Sequence, residues 1–326
     1  MQRLPAGLLL ALLAVASLVA FGAALVAGSV PLSVRQVMEV LGGGGSDLHR
    51  VLVLELRLPR AAAAFVTGGL LALAGALLQV LLRNPLADPY VLGVSGGASV
   101  GALLAILAGG VAFSVQGAAL LGALISTALV LFAGGGVGSW SPTRLLLTGV
   151  VLAAGWGAMI SLLLAIAPDT TLRGMLFWMM GDLSGAGMPG WNGGVLALVL
   201  LILLPAARPL DLLAAGEQRA RTLGVPVTLL QLTVYLAASL LTATAVTTAG
   251  TVSFVGLVVP HAVRLLGGHA HRLLLPGSVL AGGALLVAAD TLARTALAPR
   301  QLPVGVLTAF IGVPLFLWLL TRGARR

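Results

Sequence analysis

Uninterrupted apolar runs, bounded by arginine, proline or glycine, recur along this chain, as from Leu8 to Ala27 and from Ala61 to Leu82. A membrane barrel would instead alternate polar and apolar residues in segments of about 10. A helix needs about 20 apolar residues to cross the hydrocarbon core of a bilayer. On that template the pattern predicts ten spans, over 6–27, 62–82, 93–109, 115–133, 145–167, 193–207, 228–249, 252–267, 276–297 and 303–321. The sixth and eighth are short, which predicts tilted or partly re-entrant segments. The predicted fold class is an all-α polytopic membrane protein with about ten transmembrane helices, residues 1–326 forming a single transmembrane domain. Arg3 ahead of the first span also fits a signal peptide. Its apolar stretch exceeds the usual h-region of about 7–15 residues and no clean Ala-x-Ala site follows, so a retained helix fits better.

Composition supports lipid as the solvent. Of the 326 residues 59% are apolar and 8% charged, with a mean hydropathy of +1.12; soluble domains carry roughly 25% charged residues. The net charge of +9 comes from arginine alone, since the chain has no lysine. These arginines sit singly or in pairs between apolar runs, as topology-setting charges do, and not in the stripe a nucleic-acid footprint needs. The absence of cysteine excludes disulfides, Fe–S clusters and thiol nucleophiles. Without lysine there is no P-loop, and Gly42-Gly43-Gly44-Gly45-Ser46 is a flexible loop. Any ATPase that drives transport is therefore another polypeptide.

An even number of spans places both termini on one side, and Arg322, Arg325 and Arg326 argue for the cytoplasm. That choice puts Arg3, Arg83, Arg144, Arg208, Arg219, Arg221, Arg264 and Arg272 inside as well. Arg35, Arg50, Arg57, Arg60, Arg173, Arg294 and Arg300 fall outside and need a reason of their own. The polar stretch from Arg208 to Thr222 reads as a short cytoplasmic amphipathic helix that lies on the membrane or docks a partner, with a plain solvated loop as the alternative. Gly93, Gly97 and Gly101 form a small-xxx-small face suited to close packing within one subunit.

An ordered set of motifs then stands out. Arg57-Leu58-Pro59-Arg60 opens the second span; Arg83-Asn84-Pro85-Leu86-Ala87-Asp88-Pro89 follows it and leads into Leu92-Gly93-Val94-Ser95-Gly96-Gly97-Ala98. Gly216-Glu217, Phe254-Val255-Gly256-Leu257-Val258-Val259-Pro260-His261, Arg264, Leu275-Pro276-Gly277, Ala289-Asp290 and Leu302-Pro303-Val304-Gly305 complete it. In this order the chain resembles, over essentially its whole length, the FecCD-type permeases of iron-siderophore, haem and cobalamin ABC importers. The resemblance implies ten helices per subunit, a homodimer with the substrate path on its two-fold axis, two cytoplasmic ATPase subunits and a periplasmic substrate-binding protein. It also implies a location in the bacterial inner membrane. ATP and Mg2+ would be used by the partner ATPase, with no cofactor and no metal held by this chain.

The resemblance also implies roles. Arg57, Arg60 and Arg294 match arginines that pair with glutamates of the binding protein; the reading without it is interfacial arginine whose head reaches for water. Asn84, Leu86, Pro142 and Thr143 match two cytoplasmic gates, although the family's cobalamin branch carries a hydroxyl residue where Pro142 stands, and Asn-Pro is also an ordinary turn-former. Gly216, Glu217, Ala220, Arg221 and Gly224 match a coupling segment, near 208–224, of two short helices that sit in a cleft of the ATPase. The path would be lined by spans five and ten, which include Met159, Ser161, Thr308 and Phe310.

The remaining polar residues read more plainly. His269 and His271 form His-x-His without an obvious third ligand and suit an interfacial loop, as does His261. Asp290 is costly inside a span, and Arg294 one turn later is its expected intrahelical partner. An ion-coupled secondary transporter would need several such intramembrane groups, and an integral-membrane enzyme would need a polar cluster; the spans are nearly devoid of both. Iron-siderophore or haem is the favoured cargo, from the breadth of that part of the family. Cobalamin is the alternative, because Phe177-Trp178-Met179-Met180-Gly181 resembles the cobalamin branch.

Overall fold

Every predicted apolar run folds as a helix in the computed structural model, which describes residues 5–134 and 141–323, with side chains as far as Trp318. Arg3, Arg325 and Arg326, used above to orient the chain, lie outside the described residues, as does the side chain of Arg322. The helices are α1 (Ala6–Val26), α2 (Val34–Leu41), α3 (Asp47–Arg50), α4 (Leu58–Leu81), α5 (Val94–Leu107), α6 (Ala112–Ala133), α7 (Pro142–Ile166) and α8 (Asp169–Met180). They continue as α9 (Gly190–Leu203), α10 (Ala207–Ala214), α11 (Glu217–Thr222), α12 (Val227–Ala249), α13 (Val255–Leu265), α14 (His271–Thr295) and α15 (Val304–Gly323). A π-helical stretch, Val51–Arg57, joins α3 to α4 in one rod over Asp47–Leu81. No strand occurs among the described residues.

Length separates the ten predicted spans into two kinds. Among the described residues six helical segments are long and apolar enough to cross a bilayer alone, Ala6–Val26, Asp47–Leu81, Ala112–Ala133, Pro142–Ile166, Val227–Ala249 and His271–Thr295, while the stretch Val304–Trp318 of α15 is among the shorter apolar helices. The sixth predicted span is α9, bent by 73° into α10 where Pro205 interrupts the chain. The eighth is α13, whose 11 residues reach about 16 Å, half the hydrocarbon thickness. These two were the expected short elements; α5, with 14 residues, is a third. Helices α2 and α8 have no counterpart among the predicted spans: α2 is an eight-residue amphipathic turn capped by Ser33 and Gln36, and α8 is interrupted by polar residues.

The core forms around α4, which is buried along nearly its whole length against α12, α13 and α14. Its small residues permit this. A Cβ on Gly75 would run into the Gly256 carbonyl of α13, and one on Gly68 into the Gly282 carbonyl of α14. Close backbone approach of this kind is how helices associate where lipid removes the hydrophobic driving force. The Gly97 and Gly101 face packs inside the subunit as expected, against Gly122 and Ala118 of α6. Gly93 instead takes a left-handed φ of 72° at the start of α5. Helices α1 and α7 expose long apolar faces, including Leu18 and Val151.

Gly75→Ala therefore overpacks the α4–α13 contact and lowers the apparent Tm of the detergent-solubilised protein, by an amount equivalent to about 1–3 kcal/mol. Gly157→Ala, on the open face of α7 where a Cβ meets nothing within 4 Å, leaves Tm unchanged or slightly higher. Equal melting of the two variants would contradict the packing.

Candidate functional site

Three arginines and one aspartate meet at the end of α4 where α1 and α14 finish. Arg60 makes a bidentate pair with Asp290, Nε to Oδ2 and Nη2 to Oδ1 both at 2.9 Å, and its Nη1 donates to Gln301 Oε1 at 2.9 Å. Arg57 Nη1 donates to the Leu25 and Val26 carbonyls at 2.7 and 2.8 Å, and Nη2 to the Val30 carbonyl. Arg294 Nη2 donates to the Ala24 carbonyl. The last carbonyls of a helix have no intrahelical partner, and the guanidinium fork, with five donors, serves several at once. Gly28 leaves the room: its Cβ would fall 2.7 Å from Arg57 Nη2.

The expected intrahelical ion pair is present at long range, and a closer partner joins it. Asp290 takes Arg60 of α4 as its close partner, whereas Arg294 Nε stands 3.9 Å from Oδ2. The pair joins two helices because both carboxylate oxygens fit one guanidinium edge, and Arg294 turns instead to the end of α1. Arg60 and Arg294 share one carboxylate here, Arg57 stands beside them, and a cavity of about 200 Å3 opens among the three arginines next to Ser184.

A second constellation is built from three helix breaks. α8 ends at Met180, α12 ends at Ala249, and α15 begins at Val304. The free backbone groups satisfy one another: Asp182 N–H donates to the Ala249 carbonyl and Val304 N–H to the Gly181 carbonyl, both at 2.9 Å, while Thr251 Oγ1 donates to the Met179 carbonyl. Such mutual pairing is what tolerates non-helical backbone at membrane depth. Glycine is required at the junction: Gly181 and Gly250 have φ of 82° and 66°, and a Cβ on Gly305 would strike the Met180 carbonyl. Beside the breaks lies a cavity of about 510 Å3 lined by Met179, Met180, Ser253, Val306, Phe310 and neighbours, none of them charged. Phe310 is 74% exposed on this wall. Thr308 turns into the core, where its Oγ1 donates to the Gly305 carbonyl at 3.0 Å. Met159 and Ser161 lie on the uncovered side of α7, away from the cavity.

At the other end of the molecule the four expected gate residues come together. Asn84 and Leu86, after α4, and Pro142 and Thr143, at the start of α7, line one cavity of about 140 Å3. Asn84 Oδ1 accepts from Leu86 N–H at 2.9 Å, and Ser141 caps α7. Nearby, the 208–224 segment forms two short helices, α10 and α11. Gly216, at φ 133°, separates them, and Gly224, at φ 79°, ends the second. Glu217 and Arg221 pair along α11 at 2.8 Å, and Ala220 is buried. His271 departs from the bland interfacial reading: it is buried, and its Nδ1 lies 2.5 Å from Asp211 Oδ1 of α10.

The FecCD transport family profile matches residues 11–322. The chain belongs to the FecCD transport family. Among curated relatives, the ABC transporter permease YvrB of Bacillus subtilis (strain 168), itself uncharacterised, is 40% identical over 91% of this chain and 89% of its own length. The vitamin B12 import system permease BtuC of Salmonella typhi is 42% identical over 84% of this chain and 85% of its own. A solved inward-facing ABC transporter of the metal-chelate type superposes with a TM-score of 0.83 at 30% identity, covering 97% of this chain and 99% of that one. This FecCD protein is accordingly a membrane-spanning permease subunit of an ABC importer.

Breaking the buried Arg60–Asp290 pair costs more from the acidic side, so Asp290→Asn, which leaves both guanidiniums without a carboxylate, destabilises the FecCD subunit by about 3–5 kcal/mol and Arg60→Gln, which leaves Asp290 the long contact to Arg294, by less. The double variant loses much less than their sum, since each single change already removes the pair. Additive loss of apparent Tm in detergent would show that the two residues do not act together.

Proposed function

We propose that this permease carries a metal chelate, cobalamin in the first instance, from a periplasmic binding protein across the bacterial inner membrane. The single observation that supports cobalamin is the make-up of the neutral cavity. The segment from Phe177 to Gly181, which resembles the cobalamin branch, ends α8 and contributes Met179 and Met180 to its wall. The vitamin B12 permeases among its relatives favour the same cargo. Iron-siderophore or haem, suggested by family breadth alone, is the second reading, and the metal-chelate neighbour suits either. A wall without charge suits a bulky cargo that must pass without sticking.

The working unit is a homodimer with two ATPase subunits, both termini of each permease in the cytoplasm. Two copies of the cavity would then face each other across the two-fold axis. ATP and Mg2+ belong to the ATPase. Closure of its dimer pushes on α10 and α11, with Gly216, Glu217, Ala220, Arg221 and Gly224 at the contact, and reorients the helices as rigid bodies. The residues Asn84, Leu86, Pro142 and Thr143 close the cytoplasmic end. Pro142 keeps its place around the gate cavity, which supports a packing role where the cobalamin branch uses a hydroxyl.

At the outer face, Arg57, Arg60 and Arg294 receive carboxylates of the binding protein. Their excess of positive charge over Asp290 supports this. Such charge pairs set orientation and association rate more than affinity. Because their present partners are internal, a milder probe than arginine replacement is needed. Gln301, exposed beside Arg60 Nη1, supplies it: Gln301→Glu neutralises the head of Arg60 without touching Asp290. This variant slows binding-protein association several-fold at low salt, with Tm unchanged; association at the wild-type rate would place docking elsewhere.

The cargo is tested by uptake of radiolabelled cobalamin, ferric siderophore and haem in cells deleted for this gene. Selective loss of cobalamin uptake, restored by the wild-type gene, is the expected result. Selective loss of an iron chelate would move the assignment to the second reading.

A further inference from the structure

A basic cavity of about 280 Å3 opens at the inner end of α4, remote from both the outer arginines and the neutral path. Gln79 and Arg83 come to it from α4 and the following turn, Arg264 from the last turn of α13, His269 and His271 from the start of α14 and the turn before it, and Asp211 from α10. Arg264 Nη1 donates to Gln79 Oε1, and Gln79 Nε2 donates to the Leu257 carbonyl at 3.2 Å, so the amide holds the guanidinium at the wall. The one carboxylate present is already engaged. Asp211 Oδ1 accepts from the His271 backbone N–H at 3.0 Å and faces Nδ1 at 2.5 Å. Among the described residues no acidic group lies in ion-pair range of Arg83 or Arg264. The His271 side chain lines the cavity at 3% exposure, and its Nε2 is buried without a hydrogen-bond partner.

Two guanidiniums without an acidic partner, Arg83 and Arg264, therefore border a space large enough for an anion, with His269 beside them. The 24 residues of α4 span about 36 Å, so Arg83 lies at the membrane face opposite Arg57 and Arg60. In the orientation proposed above, on which this inference rests, that is the level of the cytoplasmic leaflet's phosphates. Basic pockets between transmembrane helices on this side suit anionic headgroups.

We propose that this cavity is a phosphate-binding site, filled by the headgroup of an anionic phospholipid of the cytoplasmic leaflet. Because Asp211 and Ala214 bring α10 to its wall, an occupied site ties the coupling segment to the ends of α4, α13 and α14.

The test uses the intact transporter with its ATPase subunits, delipidated in detergent and titrated with phosphatidylglycerol, phosphatidylcholine or inorganic phosphate. Retained lipid is read by native mass spectrometry and stability by Tm. Wild type retains phosphatidylglycerol in preference to phosphatidylcholine and melts higher with it. Arg264→Gln binds it at least about tenfold more weakly. The double variant Arg83→Gln/His269→Gln, altered only at exposed positions, does the same without a change in lipid-free Tm. Stabilisation by inorganic phosphate but not by phosphatidylglycerol keeps the phosphate site and overturns the lipid source. Equal retention of both lipids, unaltered affinity in the double variant, or binding only after the ATPase is stripped away overturns the proposal. Lipid retention is independent of which cargo is carried, so failure of the cobalamin assignment leaves this result standing.

Discussion

A backbone group at a helix end has no partner within its own helix, and this permease is arranged around a point where three helix ends meet. The ends of α8 and α12 and the start of α15 meet at one point and exchange backbone hydrogen bonds through Gly181, Asp182, Ala249 and Val304. Non-helical chain thereby reaches the interior at a tolerable free energy. The same junction leaves a neutral hollow beside it, lined by Met179, Met180 and Phe310. Packing and cavity share a cause: the polar backbone is consumed by its own pairing, and the wall left over carries no charge.

The charges follow a similar economy. Arg57 and Arg294 finish α1, Arg60 joins α4 to α14 through Asp290, and Gln79 braces Arg264 at the opposite face. Each of these four arginines is bonded to a group on a neighbouring segment. The outer arginines thus hold the same helix ends on which a binding protein would press, so docking and helix position are mechanically close.

Much of this was legible in the sequence, because apolar run length reports directly on helices in lipid. All ten predicted spans are helices, and Gly97 and Gly101 pack where the small-residue spacing placed them. What was not legible depends on contacts between distant segments. Asp290 was assigned to Arg294 because four residues separate them, yet Arg60 is its close partner, 230 positions away. His271 seemed an interfacial residue because nothing near it in sequence demands burial; Asp211, from another helix, does. Which side chains of spans five and ten face the cavity was not legible: Thr308 and Phe310 face opposite sides of α15, a matter of helix rotation that a uniformly apolar run does not encode. The meeting of α8, α12 and α15 was hidden for the same reason, although Gly181, Gly250 and Gly305 were the available signal.

The absence of cysteine makes the central claim, that the hollow beside these breaks is the translocation path, directly measurable. A single cysteine at Phe310, with one at lipid-facing Leu18 as control, is treated with a membrane-impermeant thiol reagent in proteoliposomes containing the complete transporter, and cargo import is then followed. The account predicts that Phe310→Cys is modified, that ATP changes the rate of modification, and that modification blocks import while the Leu18→Cys control transports normally. A modified Phe310→Cys that imports at the untreated rate would show that cargo passes elsewhere.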